Sequence, residues 1–201
     1  MSLIRDSHII HLKEAVSTND EAHLLAKKGF PNGTLVVADY QTGGRGRRGA
    51  KWSSPEGGLY ISILLRLKEW HIEAPIIEKW ATIAVWETVN YFIDEHSTIK
   101  PPNDILIKGR KVAGILVETR YTGTRLHYIV AGIGINVCPD MEEFPQDLRM
   151  RAISLCEVGK DRALCKCDIV LDRLIAFFNT WYSILVKDGP EGIRKQWEKI
   201  A

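Results

Sequence analysis

The sequence predicts an α+β domain built on a single mixed, largely antiparallel sheet with flanking helices. Three observations carry this. β-Branched apolar runs fall in two groups, Thr34–Tyr40 with Leu59–Leu67, and later IKPPNDILI, KVAGILVETR and LHYIVAGIGINV joined by short turns. Segments of helical period stand between and after these groups, not in the regular alternation of a doubly wound fold. With 201 residues, 45% of them hydrophobic, the chain suits one domain with a sizeable core.

Taken in order, His8–Leu12 reads as a short strand. STNDEAHLLAKKG follows as a helix: Thr18 and Glu21 have capping-box spacing, and Gly29 suits a left-handed helix end. Thr34–Tyr40 is a strand, Gln41–Gly58 a glycine-rich loop and Leu59–Leu67 a second strand. Ile76–Glu95 carries apolar residues at helical spacing, with Pro75 near its first turn, where a missing N–H is harmless. The turns Lys108–Gly109 and Tyr121–Arg125 divide the three later apolar runs into an antiparallel meander. Ile169–Val186 is an amphipathic helix and Glu191–Ile200 a further one.

The net charge of +2 excludes a general polyanion binder, so any attraction for phosphate must be local. MSLIRDSHII has no apolar signal-peptide core, and Asp172, Arg173 and Asn179 interrupt the longest apolar stretch. These features lead us to expect a cytoplasmic location with no membrane partner. In that compartment a disulfide among Cys138, Cys156, Cys165 and Cys167 is not expected, and the C-x-C at Cys165 and Cys167 lacks a second ligand pair for zinc.

Five short motifs could carry chemistry. QTGGRGRRGAKW at Gln41–Trp52 mixes backbone freedom with cations, and its length between two strong strands favours function over a solvated loop. Successive N–H groups there can nest an anion, while Arg45, Arg47, Arg48 and Lys51 suit phosphate or carboxylate. KPPND at Lys100–Asp104 is turn chemistry that also presents an ammonium, an amide and a carboxylate. In RKVAGILVE, Lys111 precedes the small pair Ala113–Gly114; on pattern alone an exposed turn lysine is slightly favoured. In AGIGIN, Gly132 and Gly134 alternate onto one face and clear space there. Ser17–Thr18–Asn19 reads as a helix cap that can also touch a ligand.

The order STN, YQTGGRGRRGAKW, KPPNDILIKGRKVAGILVE and GIGIN resembles the biotin–protein ligases, and the resemblance runs from Ser17 to WEKI at Trp197–Ile200. It implies the biotin/lipoate ligase catalytic-domain fold, similar to class II aminoacyl-tRNA synthetases. It implies formation of biotinyl-5′-AMP from biotin and ATP with Mg²⁺, then transfer of biotin to a lysine of a biotin carboxyl carrier protein domain. By the same resemblance, Ser17, Thr18, Asn19, Gln41, Gly44, Arg45, Gly46, Leu116, Gly132 and Gly134 form the biotin site. Arg47, Arg48, Lys51, Trp52, Lys100, Asn103 and Asn136 face the nucleotide; Lys111, Arg47 and Asp104 are catalytic, and Asp104 also serves Mg²⁺. The chain departs from the family at Ala50, where arginine is frequent, and at Pro101, where tryptophan is common.

Physical chemistry agrees with these roles. A carboxylate must approach a phosphorus ringed by negative oxygens, and two unit charges about 4 Å apart repel by roughly 4 kcal/mol at an effective dielectric near 20. Fixed cations cancel that repulsion, and no protein nucleophile is required. The glycines suit a flap that opens for entry and closes over the adenylate. Further expectations from the resemblance are no N-terminal helix-turn-helix and hence no DNA partner, a C-terminal β-barrel absent or truncated, and a homodimer through sheet edges. Two rivals stand beside this reading: a lipoate or octanoate ligase or acyltransferase of the same superfamily, and a nucleic-acid-binding module gripping its ligand with the basic loop.

Overall fold

The computed structural model describes residues 2–66, 72–123 and 125–201. Seven strands form one sheet: β1 (Ile9–Ala15), β2 (Leu35–Gln41), β3 (Leu59–Leu65), β4 (Thr98–Lys100), β5 (Asp104–Ile107), β6 (Arg110–Thr122) and β7 (Arg125–Ile135). Their order is β1-β2-β3-β7-β6-β5-β4. Only the β1–β2 pair is parallel, with helix α1 (Thr18–Lys27) as its crossover, so the sheet is mixed and largely antiparallel as expected. Lys108 and Gly109 both have positive φ, the geometry that closes the tight β5–β6 hairpin. The first strand starts at Ile9, after a single helical turn at Asp6–His8. The third ends at Leu65; Leu67, expected at its end, lies outside the described residues.

The sheet is covered on both faces. Helix α2 (Ala74–Phe92) and the long α5 (Cys167–Ile200) lie on one face, with the Trp80 and Phe178 rings packed between them, tilted, at a 4.8 Å centroid distance. Short helices α3 (Gln146–Arg149) and α4 (Leu155–Val158) lie in the connection that follows β7. α2 ends at Phe92, three residues before the expected Glu95. α5 is long and apolar enough to match a membrane span, but Gly189 (φ 66°) and Pro190 break it where the sequence expects two helices. Its apolar stripe, including Leu174, Phe178 and Leu185, is buried against the core. The other face packs α1 through Ala22 and Ala26 against Val36, Leu64, Tyr128 and Val130. That helix is short, which leaves the part of the sheet beyond its N-terminus open for a site.

The cysteines correct the sequence reading. Cys138 and Cys156 form a disulfide, with Cα atoms 5.1 Å apart. Leu155 N–H donates to Asn136 O and Cys156 N–H to Val137 O, so the return segment lies along the end of β7 and sets the thiols side by side. A separation of 18 residues gives no hint of this proximity. Cys165 and Cys167 are free thiols; burial raises the latter to about 11, and no metal-binding cluster occurs among the described residues.

Candidate active site

The floor of the site follows from strand register. Tyr60, Gly134, Gly114 and Asp104 stand in one row across β3, β7, β6 and β5, and Ser62, Gly132 and Leu116 in the next. Alternation sends these residues away from the α2/α5 core, whose inward positions are Ile61, Ile115 and Ile133. The glycines line the first cavity and also make room for the protein's own side chains. A Cβ on Gly132 would lie 2.1 Å from Asn19 Oδ1, and one on Gly134 2.4 Å from Trp52 Nε1. One on Gly114 would lie 3.0 Å from both Lys111 Nζ and Trp52 Cζ3. Trp52 therefore lies flat over two opposed glycines, and its Nε1 is buried with no hydrogen-bond partner among the described residues.

The polar end of the site is the start of α1. The expected capping box does not form: Ser17 is the N-cap and makes no side-chain cap bond. Gln41 supplies the cap from the next strand, its Oε1 accepting from Thr18 N–H at 2.8 Å, while its Nε2 donates to Ser54 Oγ at 2.9 Å. The hydroxyls of Ser17 and Thr18 are thereby released from helix capping. Ser62 Oγ lies 2.6 Å from Asn19 Oδ1 and 2.8 Å from Thr18 Oγ1. Asn19 Nδ2 donates to Glu118 Oε2 at 2.7 Å. His23 sits behind, with Nε2 3.2 Å from the same oxygen and Nδ1 3.3 Å from Tyr128 Oη. Its hydrogen bond leads the influences that hold the Glu118 carboxyl below the ordinary range, opposed by burial. Sequence reasoning missed Ser62, His23, Glu118 and Tyr128. The available signals were a serine inside an apolar strand, and the continuation of the Gly114, Leu116 alternation to Glu118.

The glycine-arginine segment folds as a small hairpin: Arg45 bridges Lys51, Gly46 N–H donates to Ala50 O at 2.7 Å, and Trp52 N–H to Gly44 O at 3.0 Å. Arg45 is pinned at its root by a bidentate pair with Asp20 at 2.6 and 2.7 Å. Lys111 reaches the site through a β-bulge. Ile105 pairs with Ala113 but Leu106 pairs with Lys111, so Val112 is the extra residue. Val112 and Ala113 both turn into the core, and Lys111 is thrown onto the face of Gly114. Its Nζ lies 2.7 Å from Asp104 Oδ1 and 5.0 Å from the Trp52 ring centroid.

Two cavities adjoin at this point. One, of about 260 Å³, runs from the polar end of α1 under the flap to Lys111. The second, of about 300 Å³, continues past Lys100, Asn136, Phe144 and Arg151. They share Lys51, Trp52, Asp104 and Lys111. Of the residues expected in a site, Ser17, Thr18, Asn19, Gln41, Arg45, Gly46, Arg47, Asn103, Leu116, Gly132 and Gly134 line the first cavity. Lys100 and Asn136 line the second. Gly44 and Arg48 line neither. Gly44 is a packing glycine, since a Cβ there would lie 2.6 Å from Ser54 Oγ, and Arg48 points outward from the flap tip with φ 55°. Asn103 and Asn136 are partly committed to the fold: Asn103 Nδ2 donates to Ile115 O at 2.6 Å, and Asn136 Nδ2 to Ile153 O at 3.1 Å.

The profile of the biotin/lipoate A/B protein ligase family matches residues 14–136, the span that carries nearly all of this site. The chain belongs to that family. Among relatives of known name, it is 36% identical to the bifunctional ligase/repressor BirA of Bacillus spizizenii, across 98% of this chain and 61% of that protein. It is 36% identical to the biotin–[acetyl-CoA-carboxylase] ligase of Paracoccus denitrificans, across 90% of this chain and 75% of the relative. The biotin protein ligase of Aquifex aeolicus, solved in complex with biotin and ATP, superposes with a TM-score of 0.76 at 30% identity. That superposition covers 94% of this chain and 76% of the other. The chain spans about three fifths of the length of the two BirA proteins from Bacillus that it matches. The matched span contains the sheet strands β2 to β7, the α1 terminus and the flap described above.

Proposed function

We propose that this chain is an ATP-dependent biotin–protein ligase, activating biotin as biotinyl-5′-AMP and passing it to a lysine of a carrier domain. The observation that carries the proposal is the pair of cavities meeting at Lys111, Asp104 and Trp52. A ligand with a polar head fits the Ser17–Thr18–Asn19 end, and its carboxylate then lies under the flap toward Lys111. A nucleotide in the second cavity brings its α-phosphate to the same point. Lys111, Arg47 and Lys51 are the cations there, and they act where charge accumulates in the transition state. Asp104 keeps the Lys111 ammonium aimed at the junction, and its free oxygen can accept a proton from an incoming lysine.

Magnesium fits only as an ion carried by the nucleotide. Asp104 is the one carboxylate lining either cavity among the described residues, and it is already paired with Lys111. A single carboxylate suits Mg²⁺ that keeps its waters and is bound mainly by phosphates. Such an ion neutralises phosphate charge when bound, while this chain's residues place the carboxylate and exclude water.

The family also embraces lipoate ligases, and the polar end of the first cavity supports biotin over lipoate. Thr18, Asn19, Gln41 and Ser62 are bonded to one another and to their neighbours, and an alkyl or dithiolane tail would cover their remaining hydrogen-bonding capacity and offer none in return. A ring with ureido-type donors and acceptors can use that capacity. The test is pyrophosphate release from ATP and Mg²⁺ with biotin, lipoate or octanoate, followed by label transfer to a carrier domain. Release with biotin alone supports the proposal; release with lipoate or octanoate but not biotin overturns it.

A further inference from the structure

Glu118 does not line the cavity, yet two of the residues that do are held by it. Its Oε2 accepts from Asn19 Nδ2 at 2.7 Å, lies 3.2 Å from His23 Nε2, and is 3.8 Å from an Arg45 guanidinium nitrogen. Asn19 belongs to the polar end and Arg45 to the root of the flap. An ionised carboxylate only accepts, so it fixes which end of the Asn19 amide points back. Nδ2 is directed at Glu118, and Oδ1 is left toward Ser62 and the space above Gly132. His23, itself tethered to Tyr128 Oη, supports the carboxylate from behind.

We propose that Glu118 is a positioning residue for biotin recognition, setting the amide sense of Asn19 and drawing Arg45 toward it, so that filling the polar end and seating the flap are coupled through one carboxylate. The inference rests on the biotin-ligase reading above and deepens it. It explains a charged residue on a half-buried strand position that does not line the cavity. It also explains a second carboxylate near Arg45, although Asp20 already pairs with that guanidinium in two short bonds.

The test is Glu118→Gln, which keeps shape but places a donor where only acceptors stood. Biotin and ATP affinities are measured separately by calorimetry, with tryptic cleavage of the flap at Arg47–Arg48 as a second readout. The expected result is biotin binding weakened about tenfold or more, equivalent to about 1.4 kcal/mol, and ATP binding within about twofold of wild type. Biotin-dependent protection of the flap should be lost as well. A merely structural role would weaken both ligands by a common factor, and that result, or unchanged biotin affinity, overturns the inference. Should Glu118→Gln fail to fold, His23→Leu and His23→Gln decide. The leucine variant should weaken biotin about threefold and the glutamine variant should restore it. Equal affinities in that pair overturn the inference too. A wild-type chain that binds no biotin refutes the functional reading itself, and this inference with it; wild-type binding with an unaffected Glu118→Gln refutes the inference alone.

Discussion

Replacing Lys111 by methionine removes one charge at the junction of the two cavities and little else. Its Nζ is ion-paired to Asp104 at 2.7 Å, with the two side chains 33% and 24% exposed. Such a partly solvated pair contributes about 1 kcal/mol or less to stability, so the fold should persist. The effect on reaction is larger. Two anionic reactants about 4 Å apart repel by about 4 kcal/mol at an effective dielectric of 20, and a cation at similar distance from each offsets that repulsion. Arg47 and Lys51 line the same cavity, so part of the offset survives the substitution. A loss of about 3–4 kcal/mol remains, or 10²–10³ in the rate of adenylate formation. Losing Lys111 also leaves Asp104 as a bare anion facing the reactants, so Lys111→Met with Asp104→Asn should recover part of the loss. The assay is pyrophosphate release under saturating biotin and ATP, with circular dichroism as the control for folding. A folded Lys111→Met whose kcat stays within about threefold of wild type would refute the electrostatic argument.

Gly132→Ala should weaken biotin about tenfold or more while sparing ATP, because its Cβ would land 2.1 Å from Asn19 Oδ1 and displace that side chain; calorimetry with each ligand measures it. Reduction of Cys138–Cys156, or Cys138→Ser, should raise the KM for ATP several-fold and leave that for biotin unchanged. The loop it closes carries Phe144, Leu148 and Arg151 into the second cavity. Urea unfolding should show a stability loss of about 3 kcal/mol for a loop of this size. Glu87→Gln should stabilise the protein at neutral pH. Burial raises the Glu87 carboxyl above its ordinary value, against the bond from Trp181 Nε1 at 2.7 Å. A raised carboxyl favours folding below its unfolded pKa and loses that contribution as pH rises through the folded one. The advantage of Gln should therefore be full at pH 7 and vanish in acid below the carboxylate range, as read from urea midpoints at both pH values.

The legible parts of this molecule are those fixed by local pattern. The period-2 spacing of Gly132 and Gly134 gave the open face of β7, and the run of glycines and cations from Gly43 to Lys51 marked the flap. Other parts depend on which strands become neighbours. Lys111 would sit on the core side by simple alternation with Ala113 and Ile115, and the bulge at Val112 reverses it. Thr18 and Glu21 have the spacing of a capping box, yet Gln41, 23 residues away, takes the Thr18 N–H instead. Glu118 and His23 meet only because α1 packs across β2, β3 and β7 and so brings His23 beside β6, and each alone reads as an ordinary polar residue. The disulfide is hidden for the same reason.

Trp52 ties these features into one constraint. Its ring covers the opposed pair Gly114 and Gly134, so any side chain at either position would lift it. It stands beside both cavities and next to the ammonium of Lys111. The aromatic wall shields one side of the ammonium, and the field of a charge is stronger on the side where less water screens it. Asp104 moderates that field until anions arrive, because at 2.7 Å it occupies much of the cation's attraction. The glycines, the bulge and the tryptophan thus serve a single requirement. A positive charge is fixed where the two cavities adjoin, and it gains most when both are filled.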